Sequence, residues 1–299
     1  FRLLWKKIHF YSTMAQSEKL VRFRAQLQEN GFDAYVVPHN DAHMSEYTPA
    51  ADQRIEYISG FSGSAGIALI TTNKALLWTD GRYFLQAESQ LEAGWELMKQ
   101  IPEVPTLNEW SATNLNEGSK FAFDPYLMPL GQYEELKKKF ESKKIELVPH
   151  PTNLVDAVWE GKQTAEIKPI IRLEDDFAGQ TAAEKLKNTA NKIKELKADG
   201  LLTTELDSIA WAFNLRGKDV DFNPLFIAYL FILRTGEEEF DVNLFIDSQK
   251  LSDDLKTYLG DLKVKLHDYS EVSSFFGGIT GKKVIATKKW CNFSLYNAI

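Results

Sequence analysis

The 299-residue sequence predicts an α/β protein made of two tandem, similar domains. Apolar residues alternate between strand-like runs and helical three-to-four-residue spacing. The same order of segments occurs twice along the chain. A turn-rich stretch with Pro149, Pro151, Gly161, Pro169 and Gly179 separates the two copies, which places the domain boundary near Pro151.

The first copy opens with a helical segment, Glu18 to Glu29, stopped by Asn30-Gly31, and the strand Ala34 to Val37 follows. Ile55, Tyr57 and Gly60 come next, then the apolar strands Ile67 to Thr71 and Ala75 to Thr79, which end at Asp80. A helix beginning Gly81-Arg82-Tyr83 is read from Tyr83, Phe84, Ala87 and Leu91. Lys120 to Asp124 reads as a strand, Leu130 to Phe140 as a helix and Lys144 to Val148 as a closing strand. Leu154, Val155 and Trp159 suggest a short helix at the junction.

The second copy repeats this order. A helix over Ala182 to Lys197 stops at Asp199-Gly200, and Leu201 to Thr204 follows. Ile209, Trp211 and Gly217 match Ile55, Tyr57 and Gly60. The strands Leu225 to Leu233 and Val242 to Ile246 end at Asp247, and the step after it is Ser248-Gln249-Lys250. Lys283 to Thr287 matches Lys120 to Asp124, after which the chain runs WCNFSLYNAI where the next helix is expected to begin. The second domain is therefore expected to be incomplete, with Trp290, Phe293, Leu295 and Tyr296 as exposed apolar residues that a continuation would cover.

Composition excludes several classes. A net charge of −7 argues against a nucleic-acid partner, since phosphate binding is driven by basic surface. Lys137 to Lys139 and Lys143-Lys144 flank Phe140 on an amphipathic helix and read as a solvated face. The single cysteine, Cys291, forms no internal disulfide and fits a reducing compartment. No apolar run reaches the roughly 20 residues that span a bilayer. Phe1 to Gln16 read as a leader or unstructured extension. Arg2, Lys6 and Lys7, with no acid before Glu18, suit a mitochondrial presequence, but an incomplete or artefactual leader upstream of Met14 is preferred.

Chemistry-bearing patterns are few. Five histidines occur, none in an HExxH pair. Asp175-Asp176, Glu237 to Glu239 and Asp253-Asp254 sit in polar surroundings and read as solvated faces. No GxSxG elbow is present. Gly60, Gly63 and Gly66 follow GxxGxxG and lead into a strand, so a turn is expected there and not a phosphate-binding helix. His43 lies in a polar loop, where hydrogen bonding within that loop is the simplest role. Arg82 is the leading candidate site residue. A helix N-terminus favours Asp80 and disfavours a cation by a few tenths of a kcal/mol, and residues that break local rules concentrate at sites. The plain alternative is an ion pair with Asp80 or Glu88.

DAHMSEY (Asp41 to Tyr47), ISGFSGSAG (Ile58 to Gly66), LLWTDGRYFLQAE (Leu76 to Glu88), NLVDAVW (Asn153 to Trp159), IAWAFNLRGKDVDFNP (Ile209 to Pro224) and VNLFID (Val242 to Asp247) together resemble eukaryotic cytosolic Xaa-Pro aminopeptidase, or aminopeptidase P, over Leu20 to Ile299. The resemblance implies two creatinase/prolidase-like N-terminal domains, each a mixed β-sheet flanked by helices, here 17–150 and 151–299. It also implies a catalytic "pita-bread" domain holding two Mn(II) ions, which this chain does not contain. On this resemblance the chain has no catalytic residue and holds no metal, and is expected to be inactive alone. Its fold would shape the substrate cleft and support a homodimer in the cytoplasm, with no nucleic-acid or membrane partner. The substrate is a peptide with proline at the second position, and the family's substrate-binding arginine falls on Arg82. Two alternatives stay open. One is a stand-alone, non-enzymatic interaction module of the peptidase-like type. The other is a prolidase or creatinase type, against which the tandem repeat argues.

Overall fold

The computed structural model describes residues 17–237, 239–279 and 281–299, so the expected leader, 1–16, lies outside the described residues. The chain divides into two compact units. One comprises residues up to His39, Gln53–Asp124 and Glu135–Lys162, and the other Asn40–Asp52, Pro125–Glu134 and Gln163–Ile299.

The first unit's elements run α1 (Glu18–Glu29), β1 (Ala34–Pro38), α2 (Arg54–Ser59), β2 (Ile67–Thr71), β3 (Ala75–Thr79), α3 (Phe84–Gln90), β4 (Glu96–Lys99), α4 (Leu107–Asn114), β5 (Lys120–Phe123), α5 (Leu130–Glu141, its first residues assigned to the other unit), β6 (Glu146–Pro149) and α6 (Leu154–Val158). The sheet order is β4-β3-β2-β1-β5-β6. β1 pairs antiparallel with β2 and parallel with β5, so the sheet is mixed. β1 and β3 are buried along their whole length, as expected of central strands covered on both faces. The core gathers Leu20, Phe23 and Leu27 from α1 with Tyr35, Val37, Ile70 and Leu77 from the sheet. Each such side chain contributes about 1.5–3 kcal/mol when removed from water.

The second unit continues with β7 (Ile171–Arg172), α7 (Asp175–Ala178), α8 (Ala182–Glu195), β8 (Gly200–Thr203), α9 (Leu206–Ala212), β9 (Leu215–Arg216), β10 (Ala228–Arg234), β11 (Phe240–Ile246), α10 (Asp253–Asp261), β12 (Val264–His267), α11 (Val272–Phe276), β13 (Val284–Ile285) and α12 (Phe293–Ala298). Its main sheet runs β12-β11-β10-β8-β13. α8 shows why the sequence folds locally as it does. Thr181 and Glu184 close a reciprocal cap, and Ala182, Leu186, Ala190 and Ile193 line one buried face.

The repeat is reproduced strand for strand, with β1, β2, β3, β4 and β5 matched by β8, β10, β11, β12 and β13 in position and direction. Matching polar details fix the register. Asp33 Oδ2 accepts from the Lys120 amide at 2.8 Å, and Asp199 Oδ2 accepts from the Lys283 amide at 2.8 Å. Gly60 ends α2 in the left-handed region, at φ 81°, and Asn214 occupies that region after α9, at φ 50°. The residue aligned with Gly60 is thus Asn214 and not Gly217. Asparagine adopts this conformation more readily than most residues, so no glycine was needed there.

Two further expectations are corrected. α3 begins at Phe84, not at Gly81-Arg82-Tyr83, because Asp80 closes the preceding turn by accepting from the Arg82 and Tyr83 amides. The C-terminal apolar residues are largely covered within their own unit. Phe293 packs on Tyr133, ring centroids 4.3 Å apart, and Leu295 joins Tyr229, Phe231, Val272 and Phe276, leaving Trp290 half-buried and Tyr296 half-exposed. The sheet of this unit has no counterpart of β6 among the described residues.

Candidate functional site

Arg82 stands in the turn between β3 and α3, with 63% of its side-chain surface exposed. Its Nε donates to Asp80 Oδ1 at 3.0 Å and its Nη2 to Asp80 Oδ2 at 2.8 Å. This two-point fork fixes the plane of the guanidinium, while the Tyr83 ring lies 5.2 Å from its central carbon. The hydrogen bond from Arg82 holds the Asp80 carboxyl below its ordinary range. The ion pair weighed in the sequence is therefore present, and it leaves the charged group at the surface.

The second copy supplies the comparison. Asp247 accepts from the Gln249 amide at 2.9 Å, as Asp80 accepts from Arg82. The backbone turn is thus the same, with Gln249 at the arginine position. Lys250, the nearest basic residue, turns inward instead. Its Nζ lies 2.6 Å from Asp219 Oδ2, both side chains nine-tenths or more buried. An outward guanidinium at this step belongs to the first copy alone, and the turn forms without it.

His43 is brought to a different place, in the second unit, and its partners extend well beyond its own loop. It is 3% exposed. One ring nitrogen, Nδ1, lies 2.9 Å from the Thr204 carbonyl and the other, Nε2, 2.8 Å from the Tyr269 hydroxyl. The Tyr229 ring lies against it at 4.4 Å. A carbonyl only accepts, so Nδ1 carries a proton, and in the neutral ring Nε2 accepts from Tyr269. Burial lowers the His43 pKa, opposed by Asp41 and the Thr204 hydrogen bond. Burial likewise raises both tyrosines. Tyr229 and Tyr269 carry no local sequence signal, since one sits inside an apolar strand and the other in a short turn.

The remaining candidates are placed plainly. Asp175 accepts from Asn214 and Arg172, and Asp253-Asp254 open α10 at its positive end. Gly60, Gly63 and Gly66 lead into β2, and a side chain at Gly63 would collide with the Phe61 and Tyr83 rings. Cys291 is buried, which pushes its thiol up to about 11, the wrong direction for a nucleophile at neutral pH. Among the described residues, no group of three or more histidines, cysteines or acids is placed to hold a metal ion.

The creatinase/prolidase N-terminal domain family matches residues 19–158 and again 161–299. The chain belongs to this family, with the domain present twice. It is similar to a probable Xaa-Pro aminopeptidase P of Coprinopsis cinerea, 40% identical over 93% of this chain and 46% of that protein. Xaa-Pro aminopeptidase 1 of Dictyostelium discoideum is 38% identical over 98% of this chain and 47% of its own length. Among solved structures, the X-prolyl aminopeptidase of Caenorhabditis elegans, described as a cytosolic enzyme with a di-nuclear active site, superposes with a TM-score of 0.88. That match has 33% identity over 94% of this chain and 48% of that one. The chain thus spans about half the length of the relatives it matches. No described helix is long and apolar enough to cross a membrane.

Proposed function

We propose that this chain is the non-catalytic N-terminal part of a metal-dependent Xaa-Pro aminopeptidase, which removes the residue preceding proline at a peptide N-terminus. The creatinase/prolidase domains shape the wall of the substrate cleft and support a homodimer in the cytoplasm. Metal ligands and hydrolysis belong to the half of the relatives that lies outside the match. Arg82 contacts the peptide from the wall.

The observation that carries this reading is the solvent-facing Arg82, held in plane by Asp80 where the aligned turn of the second copy carries Gln249. A planar guanidinium suits a peptide carboxylate or carbonyl, and a contact that only positions substrate still contributes to rate. In the longer enzyme, Arg82→Ala is expected to lower kcat/KM on Xaa-Pro peptides at least tenfold, with metal content by elemental analysis unchanged. Identical kinetics on peptides of several lengths would refute the role.

A further inference from the structure

We infer that the second unit carries a preformed seat for a short helix, and that its occupant is the segment that follows the counterpart of Ile299 in the longer relatives. The seat is defined by the difference between the two copies and is independent of the peptidase reading.

In the first unit, α6 fills a specific seat. Asn153 caps it and donates to Asp124 at 2.9 Å. Arg54 holds Asp156 through two bonds of 2.9 Å. Tyr57 donates to the Val158 carbonyl at 2.6 Å and stacks on Trp159, centroids 4.7 Å apart. Leu154, Val155 and Val158 join the core with Phe23, Tyr35, Val37 and Ile70.

The matched positions of the second unit follow from the shared register. Asp33 and Asp199 place Thr189 at Phe23, Leu201 at Tyr35 and Thr203 at Val37. Gly60 and Asn214 place Ser208 at Arg54 and Trp211 at Tyr57, and Lys120 and Lys283 place Thr287 at Asp124. All six of these second-unit residues line one hollow of about 220 Å³. Trp211 is 49% exposed at its rim, and Leu201 and Thr203 are only half-buried where Tyr35 and Val37 are fully buried. Beside it β13 is the outermost strand among the described residues, whereas its partner in the repeat, β5, carries β6.

The lining defines the occupant. Trp211 keeps the aromatic platform of Tyr57 for a ring or proline. Leu201, Leu230 and Ile232 take aliphatic side chains. Ser208 replaces Arg54, so the position equivalent to Asp156 carries no negative charge in the occupant, since a buried carboxylate needs a partner. The relatives are roughly twice as long as the stretch that matches this chain, which leaves ample sequence for such a segment. A strand added to the β13 edge, followed by a short capped helix, meets both features in the order in which β6 and α6 occur.

The probe is a synthetic peptide of about 30 residues, enough for a helix end, a strand and a short helix. It is taken from the stretch after the Ile299 counterpart in the Dictyostelium discoideum relative and titrated into the 299-residue chain by calorimetry and hydrogen exchange. The expected result is one-to-one binding with slowed exchange at 200–212, weakened at least tenfold by Trp211→Ala. Leu201→Asp is the second variant should Trp211→Ala fold poorly. Ser208→Arg should raise affinity for this chain's own Glu146–Lys162 peptide about tenfold, by restoring the partner that Arg54 gives Asp156. No binding, protection elsewhere, equal binding by both weakened variants, or coverage of Trp211 by a second copy of the chain would overturn the assignment.

Discussion

Arg82 and Asp80 illustrate how an exposed ion pair can matter for orientation more than for stability. Arg82→Ala should let the Asp80 pKa rise toward its ordinary value near 3.8, followed by NMR titration. The sign follows from linkage: a lowered folded pKa gives a contribution present above the unfolded value and lost as pH falls through the folded one. The contribution is small, because exposed pairs are worth about 0–1 kcal/mol, so any large kinetic effect of the substitution would report on substrate. His43 has the same sign from a different cause. Burial lowers its pKa from the ordinary 6.5, so its contribution is full above pH 6.5 and is lost as pH falls through the folded value. Urea unfolding between pH 7.5 and 5 should show stability falling toward acid in the parent chain. That slope should be smaller in His43→Asn, and equal slopes would contradict the buried neutral ring.

At the scale of elements, the two β-strand-to-helix turns after β3 and β11 share a backbone and differ in what they do with a cation. Lys250 is directed inward to Asp219, which also accepts from the Ile227 amide at 2.8 Å. Removing one member leaves a buried charge without its partner, so Lys250→Ala or Asp219→Ala should each cost about 3–5 kcal/mol in chemical denaturation. A cost below about 1 kcal/mol would mean that water reaches the pair. This inward turn was not legible in the sequence, where Lys250 simply stands one residue beyond the position matching Arg82. Nothing in SQK distinguishes a lysine bound to a distant aspartate from one in solvent. The strands around it were legible, because β10 and β11 are long apolar runs ending in a charged turn. β4, α4 and β12 were not, since each is short and carries little periodicity: β4 is Glu-Leu-Met-Lys with no buried residue.

For the whole molecule, the repeat was the most informative signal, and it predicted both the doubling and the relation between the copies. Its residue-level alignment slipped at Gly217, because the left-handed position was filled by asparagine. The coverage of Phe293 and Leu295 was also missed, since it depends on Tyr133 and on β10, far away in sequence. What no local pattern announced was the vacant seat at Trp211, which only the comparison of two folded copies exposes. The central claim is that these residues supply a scaffold and one guanidinium contact for peptide hydrolysis performed elsewhere. Its direct test is an Xaa-Pro peptide assay of the purified 299-residue chain with added Mn(II). The account predicts no turnover above the metal-only control. Turnover that follows the chain through purification, with stoichiometric uptake of two metal ions, would contradict it.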